Sequence, residues 1–212
     1  MRTAIRYRAL RAFATSLASI ALVGCALSGR HETPVATFVL EGAPAPAALQ
    51  TASAGLVLKI SMPDAAPAYA SSQMAYIEQP YRIDYFARNE WADPPSRMLK
   101  TLLTQQLSNC GLFRFVFSDS AGVDETLRLD SELVELVQAF DASSSQLRVT
   151  IRFDLIDVAQ RAILLSETIS ASEPAARDPY SGVVAANAAV QRVLDQLVAR
   201  LHQPVASLRS AP

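Results

Sequence analysis

The chain has 212 residues, half of them apolar, enough for one domain with a sizeable core plus extensions. Nineteen Lys and Arg against twenty Asp and Glu give a net charge of −1. A chain so balanced, with no basic stripe, is a poor binder of nucleic acid, and its scattered glycines form no phosphate-binding loop.

The first elements are a leader. Arg2, Arg6, Arg8 and Arg11 precede an apolar run from Ala12 to Val23, with no acidic residue before Gly24. A positive region followed by a short apolar region is the layout of a secretory signal. The run is too short to span a bilayer, which takes about 20 apolar residues. It ends in Leu22-Val23-Gly24-Cys25, which resembles the lipobox of bacterial lipoproteins. That resemblance implies cleavage between Gly24 and Cys25 and a covalent lipid on Cys25. Ala26, rather than aspartate, then favours the outer membrane. Loss of the four leader arginines leaves fifteen basic residues against twenty acidic ones, a mature charge of −5. With Cys25 acylated, Cys110 has no partner for a disulfide within the chain, and its expected role is that of a small buried residue.

Residues 25–54 are rich in Ala, Pro, Ser and Thr and read as a lipidated tether; the run Thr37–Leu40 is a candidate edge strand within it. The folded domain is expected over residues 55–202. Leu56–Ile60 reads as a strand ended by Pro63, followed by strands at Gln73–Ile77 and Tyr81–Phe86. Asp93 is the expected N-cap of a helix with Pro94 at its first position. Leu99, Leu102, Leu103 and Leu107 form its apolar stripe, and Asn109 with Gly111 marks its end.

Leu112–Phe117 is a short strand candidate. Leu127–Phe140 is long, and its apolar phase changes near Leu133-Val134, which predicts a bulge. Leu147, Val149, Ile151, Phe153 and Leu155 alternate with polar residues, the clearest half-buried strand in the chain. The spacer Asp141–Gln146 makes these two segments a hairpin, and Ile163–Ser170 continues the sheet. The last element is a helix from about Pro179 to His202, with its stripe at Val183, Val190, Leu194, Leu197 and Leu201. Pro204 is expected to stop it, leaving residues 203–212 as a disordered tail. Two amphipathic helices need one apolar face to rest on. The expected fold is therefore α+β: a two-layer sandwich of a mixed or antiparallel sheet with two main helices on one face, preceded by the signal peptide and the flexible tether.

The stretch from Pro63 to Tyr69, the strands around Tyr76 and Tyr81–Tyr85, and the step Asn89-Glu90-Trp91-Ala92-Asp93-Pro94-Pro95-Ser96-Arg97-Met98-Leu99 resemble the ABC-type transport auxiliary lipoproteins, the PqiC/YmbA-like group. The resemblance covers roughly residues 55–202. It implies a non-enzymatic accessory that works with an MCE-domain protein and, through it, with permease and ATPase subunits in moving lipids or other hydrophobic molecules across the envelope. It also implies a periplasm-facing position at the outer membrane and, in some members, a homo-oligomeric ring. A structural or assembly lipoprotein of the same architecture, resembling LptE-like or TolB-N-terminal-like domains, remains as the alternative.

No catalytic residue, metal ligand or cofactor is expected apart from the lipid on Cys25. No Gly-x-Ser-x-Gly elbow occurs, and His31 and His202 sit in the tether and at the end of the last helix. Glu132/Glu135 and Asp154/Asp157 are spaced to point to opposite faces of a strand. Tyr69, Tyr76, Tyr81 and Trp91 are the candidates for contact with a partner or a lipid, since Tyr and Trp favour interfaces. The competing role for most of these aromatics is packing under the first helix, with Trp91 acting as a hydrophobic staple.

Overall fold

The computed structural model describes residues 34–42, 55–119 and 122–209. The signal peptide, the Gly24–Cys25 cleavage site and much of the tether lie outside the described residues. The strands are β1 (Ala36–Phe38), β2 (Val57–Ile60), β3 (Asp64–Ala65), β4 (Gln73–Gln79), β5 (Arg82–Trp91), β6 (Phe115–Phe117), β7 (Leu127–Phe140), β8 (Ser145–Asp157) and β9 (Ala162–Ala175). The helices are α1 (Pro95–Asn109) and α2 (Pro179–Arg209), and a short 3-10 turn covers Pro67–Tyr69.

The two segments with the clearest alternation make the centre of a single mixed sheet. β7 and β8 pair antiparallel along their whole length, from Leu127 opposite Asp157 to Phe140 opposite Ser145. The other edge of β7 is shared by three parallel strands in succession: β2 beside Leu127–Leu129, β3 beside Glu132–Leu133, and β4 beside Gln138–Ala139. β6 lies beyond β2, β5 and then β1 lie beyond β4, and β9 extends the sheet beyond β8. Both helices rest on one face, α1 over β2, β6 and β7, and α2 over β8 and β9. The expected two-layer α+β sandwich is the observed fold.

The inner face is built by period-two burial. Leu127, Leu129 and Leu133 of β7 and Val149, Ile151, Phe153 and Leu155 of β8 are essentially inaccessible, as are Leu99, Leu103 and Leu107 of α1 and Leu194, Leu197 and Leu201 of α2. Each such side chain contributes about 1.5–3 kcal/mol by leaving water. The outer face is polar, with ion pairs Arg128–Asp130, Arg148–Glu135 and Arg152–Asp154. The expected bulge falls between Leu133 and Glu135, leaving Val134 partly exposed. It changes one expectation. The extra residue returns Glu135 to the outer face that Glu132 occupies, opposite Thr150 and Arg152, so these two carboxylates share a face.

Several boundaries differ from the sequence reading. The folded unit begins at Val35 rather than at Gly55. β1 pairs in parallel with β5, Ala36 beside Asn89 and Phe38 beside Trp91. Leu40 is buried, its amide donates to Met98 Sδ at 3.3 Å, and Glu41 N–H donates to Asn187 Oδ1 at 2.6 Å. The expected edge strand at Thr37–Leu40 thus forms one residue earlier, as Ala36–Phe38, and is tied down by partners remote in sequence. β5 runs on to Trp91, which ends a strand instead of stapling a helix. Asp93 is not the N-cap of α1. Pro94 takes that place, held extended (ψ 133°) by the proline after it, and Asp93 instead pairs with Arg97 at 3.3 Å. At the C-terminal end of α1 the expected signals act as read: Cys110 is the C-cap and Gly111 follows with φ +74°.

α2 does not stop at Pro204 but continues to Arg209. A helical proline costs about 3 kcal/mol, but the apolar stripe of Leu197 and Leu201 carries on through Val205 and Leu208. Val205 is fully buried, which offsets much of that cost. The other end of α2 is capped by Asp178, whose Oδ1 accepts from Ser181 N–H at 2.8 Å and whose Oδ2 accepts from the Ser181 hydroxyl at 2.7 Å.

One buried polar group fixes α2 on the sheet. Gln138 of β7 is 2 % exposed, and its Nε2 lies 2.8 Å from Ser145 Oγ and 3.1 Å from the Ala176 carbonyl. Its Oε1 and Cδ lie where a side chain on Gly182 would be, with Cδ only 2.7 Å from an ideal Cβ. Gly182 thus leaves room for the Gln138 amide, which its hydrogen bonds hold in place. Gly182→Ala is expected to destabilise the domain by about 1–3 kcal/mol through overpacking. In the Gln138→Ala background the same change should cost markedly less; denaturant unfolding of the four proteins measures the coupling.

Candidate functional site

The aromatic residues singled out from the sequence do not converge. Tyr69 ends the 3-10 turn that lies across the outer face of the sheet and is 8 % exposed. Its hydroxyl pKa is raised, chiefly by burial and then by the carboxylate of Glu135. Tyr85 reaches the same turn, donating from its hydroxyl to the Ala68 carbonyl at 3.1 Å. Trp91 is 4 % exposed and lines a small internal cavity with Met74, Phe86, Leu136, Leu147 and Gly182. Tyr76 packs against Phe86 (ring centroids 4.6 Å apart) and edge-on to Phe140 (5.8 Å). Tyr69, Tyr76 and Trp91 therefore serve packing. Tyr81 alone is fully exposed, at 107 % of its reference area. Gly24 and Cys25 lie outside the described residues.

The aromatic cluster sits where β7 turns into β8. The Arg177 guanidinium lies 5.0 Å from the Phe140 ring centroid and donates to the Asp141 carbonyl. Asp141 organises the turn itself. Its Oδ1 accepts from the amides of Ser143 and Ser144, at 2.8 and 2.7 Å, and its Oδ2 accepts from the Ser144 hydroxyl at 2.7 Å. These donors, the Ser144 hydroxyl foremost, hold the carboxyl pKa down at about 2.

The opposite edge of the sheet has the features of a docking surface, which the sequence did not single out. β9 is fourteen residues long and pairs with β8 alone among the described residues. An unpaired edge of that length offers a row of amides and carbonyls to another chain. Ion pairs Arg192–Glu173 and Arg200–Glu167 tie β9 to α2. On either side of them lie two open grooves. One runs from Glu173–Ala176 to Tyr180, Val184 and Ala188. The other runs from Leu164 and Leu165 to Pro204 and Leu208. Tyr180, Val184 and Ile163 are 65, 55 and 63 % exposed, an apolar fringe along an otherwise polar edge.

The Cys110 thiol is half-buried, donates to the Leu107 carbonyl at 3.1 Å and has its pKa raised by burial. Among the described residues no group of His, Cys, Asp and Glu is placed to hold a metal ion, and no helix is long and apolar enough to cross a membrane.

A two-layer α+β domain with an open sheet edge does not by itself define an activity. Comparison with known families is more specific. The chain belongs to the family of ABC-type transport auxiliary lipoprotein components, whose sequence model matches residues 38–201. No curated protein matches it. Among solved structures it is similar to a Xanthomonas campestris protein of the DUF330 family, at TM-score 0.70 and 16 % identity, covering 82 % of this chain and 99 % of that one. A second, uncharacterised protein is similar at TM-score 0.64 and 13 % identity, covering 80 and 99 %. At these identities the likeness is one of fold.

The turn at Asp141 gives a pH test. A carboxyl whose folded pKa is depressed contributes stability that is present above its unfolded pKa, about 4, and is lost as pH falls towards about 2. Asp141→Asn should be less stable than the parent at pH 6, and the difference should shrink as pH falls through that window. Thermal unfolding followed across pH measures it.

Proposed function

We propose that this chain is an outer-membrane lipoprotein, held by lipid on Cys25, that acts as a non-enzymatic auxiliary component of an MCE-type ABC transport system. In this role it docks partner subunits while the system moves lipids or other hydrophobic molecules across the envelope. The observation that carries the reading is the family match over residues 38–201, joined to the Leu22-Val23-Gly24-Cys25 sequence ahead of it. The open edge of β9 and its apolar fringe support a docking role, since backbone pairing along an edge gives affinity and flanking pockets give selectivity. The same edge, meeting a different surface of another copy, would build the ring that the family resemblance implies.

Affinity purification from detergent-solubilised envelopes tests this. The native chain should recover an MCE-domain protein together with permease and ATPase subunits, and recovery of none of them would sink the reading. Tyr180→Asp combined with Val184→Asp should cut recovery while leaving thermal stability unchanged. Cys25→Ala should be exported but found in the soluble fraction; unchanged membrane retention would contradict the anchor.

A further inference from the structure

The turn between β4 and β5 contains an arrangement that the fold does not explain. Gln79 and Arg82 pair across a two-residue connection, Pro80–Tyr81. Pro80 suits the first turn position, but Tyr81 has φ +67°, in the left-handed region. At that second position the turn favours glycine or asparagine, and a bulky side chain there is strained. Tyr81 gains nothing from the domain in return, since its side chain is wholly exposed. It stands at the apex of a tip formed by Pro80, Tyr81, Arg82 and Ile83, and Ile83 is itself 38 % exposed.

The position of this tip follows from how the chain enters the sheet. β1 runs parallel to β5, with Ala36 beside Asn89 and Phe38 beside Trp91. The start of β1 therefore faces the β4–β5 tip, and its end faces away. Eight residues of β5 separate Asn89 from Tyr81, about 26 Å at the usual rise of a strand. Ten residues, 26–35, separate Cys25 from Ala36. Ten residues of chain reach at most about 38 Å. That length exceeds the distance to the tip, so a lipid on Cys25 would keep the bilayer within reach of the β4–β5 tip, whereas a thirty-residue tether would leave the domain free to turn.

We propose that the β4–β5 tip is a second membrane contact, with Tyr81 seated in the headgroup layer of the bilayer that carries the lipid on Cys25. The inference rests on the anchor reading above. Tyrosine is suited to that layer, where its ring meets acyl chains and its hydroxyl stays wet. The contact supplies the reason for a strained aromatic at a turn apex, and it fixes the orientation of the domain: β4–β5 towards the membrane, the Trp91 end of β5 and the start of α1 away from it.

The test uses the full-length lipoprotein carrying Tyr81→Trp, reconstituted into vesicles of phosphatidylethanolamine and phosphatidylglycerol, with and without lipids brominated high on the acyl chain. Trp91 is the single native tryptophan and is buried, so the unsubstituted protein supplies the background. The introduced indole should emit at shorter wavelength in vesicles than in the Cys25→Ala form without lipid, and brominated lipid should quench it. Protein that floats with the vesicles while this indole stays open to iodide overturns the tip contact and leaves the anchor standing. Protein that does not float overturns both. Shielding from iodide without bromine quenching places another protein surface on the tip and also overturns the proposal. In detergent, Tyr81→Gly should raise the thermal midpoint by releasing the strain; a lowered midpoint would show that Tyr81 serves the fold, contrary to the inference.

Discussion

The structure depends on β7, a fourteen-residue strand whose two edges do different work. One edge is held by β8 over its full length. The other is divided among β2, β3 and β4, which dock on it one after another as the chain crosses from one end of the sheet to the other. Every other strand joins the sheet through these four. The inward side chains of β7 and β8 are also the floor on which both helices rest. A polar substitution at Leu129 or Leu133 would therefore disturb the docking of the short strands β2 and β3. Strands of two to four residues have no independent stability. They persist because β7 supplies a partner for their backbone and a dry face for their side chains.

The same dependence extends to the start of the domain. The arm from Ala36 to Leu40 has a weak pattern of its own, yet it completes the outer edge of β5 and reaches Met98 of α1 and Asn187 of α2. It ties the two helices and the sheet edge to the point where the chain leaves the domain. The folded unit therefore begins about ten residues after Cys25 rather than about thirty. A longer tether would allow the domain to act anywhere within its reach. If Cys25 carries lipid as proposed, a short one would hold a defined face near the bilayer and would leave the β9 edge available to a partner.

How much of this was legible depended on whether a signal was local. The alternation of β8, the phase change that marks the β7 bulge and the stripe of α2 are repeated many times within one segment, and each formed as read. The same holds for Gly111 at the end of α1, where one residue type meets a steric demand. Features set by remote partners were not legible. The edge strand expected at Thr37–Leu40 did form, as Ala36–Phe38, but its partner Asn89–Trp91 was not readable from the segment itself. α2 passes Pro204 because Val205 has a buried place waiting. Glu132 and Glu135 share a face because the bulge resets the alternation between them. Asp93 lost the capping position to Pro94 because consecutive prolines fix the backbone more firmly than a side chain can cap it. Of the four candidate aromatics, Tyr69, Tyr76 and Trp91 were drawn into packing. Of these four only Tyr81, at the apex of the β4–β5 turn, stayed in solvent, and sequence alone does not separate it from the others.

Membership of the auxiliary lipoprotein family, the short arm and the open β9 edge fit one account: a rigid partner-binding domain fastened close to a membrane by its first mature residue. The lipid on Cys25 is the claim on which the rest of the functional account stands. The mass of the N-terminal peptide of the protein isolated from membranes tests it most directly. The account predicts a chain that begins at Cys25 and carries the mass of attached acyl lipid. A mature chain that begins at another residue, or one with an unmodified Cys25, would contradict it.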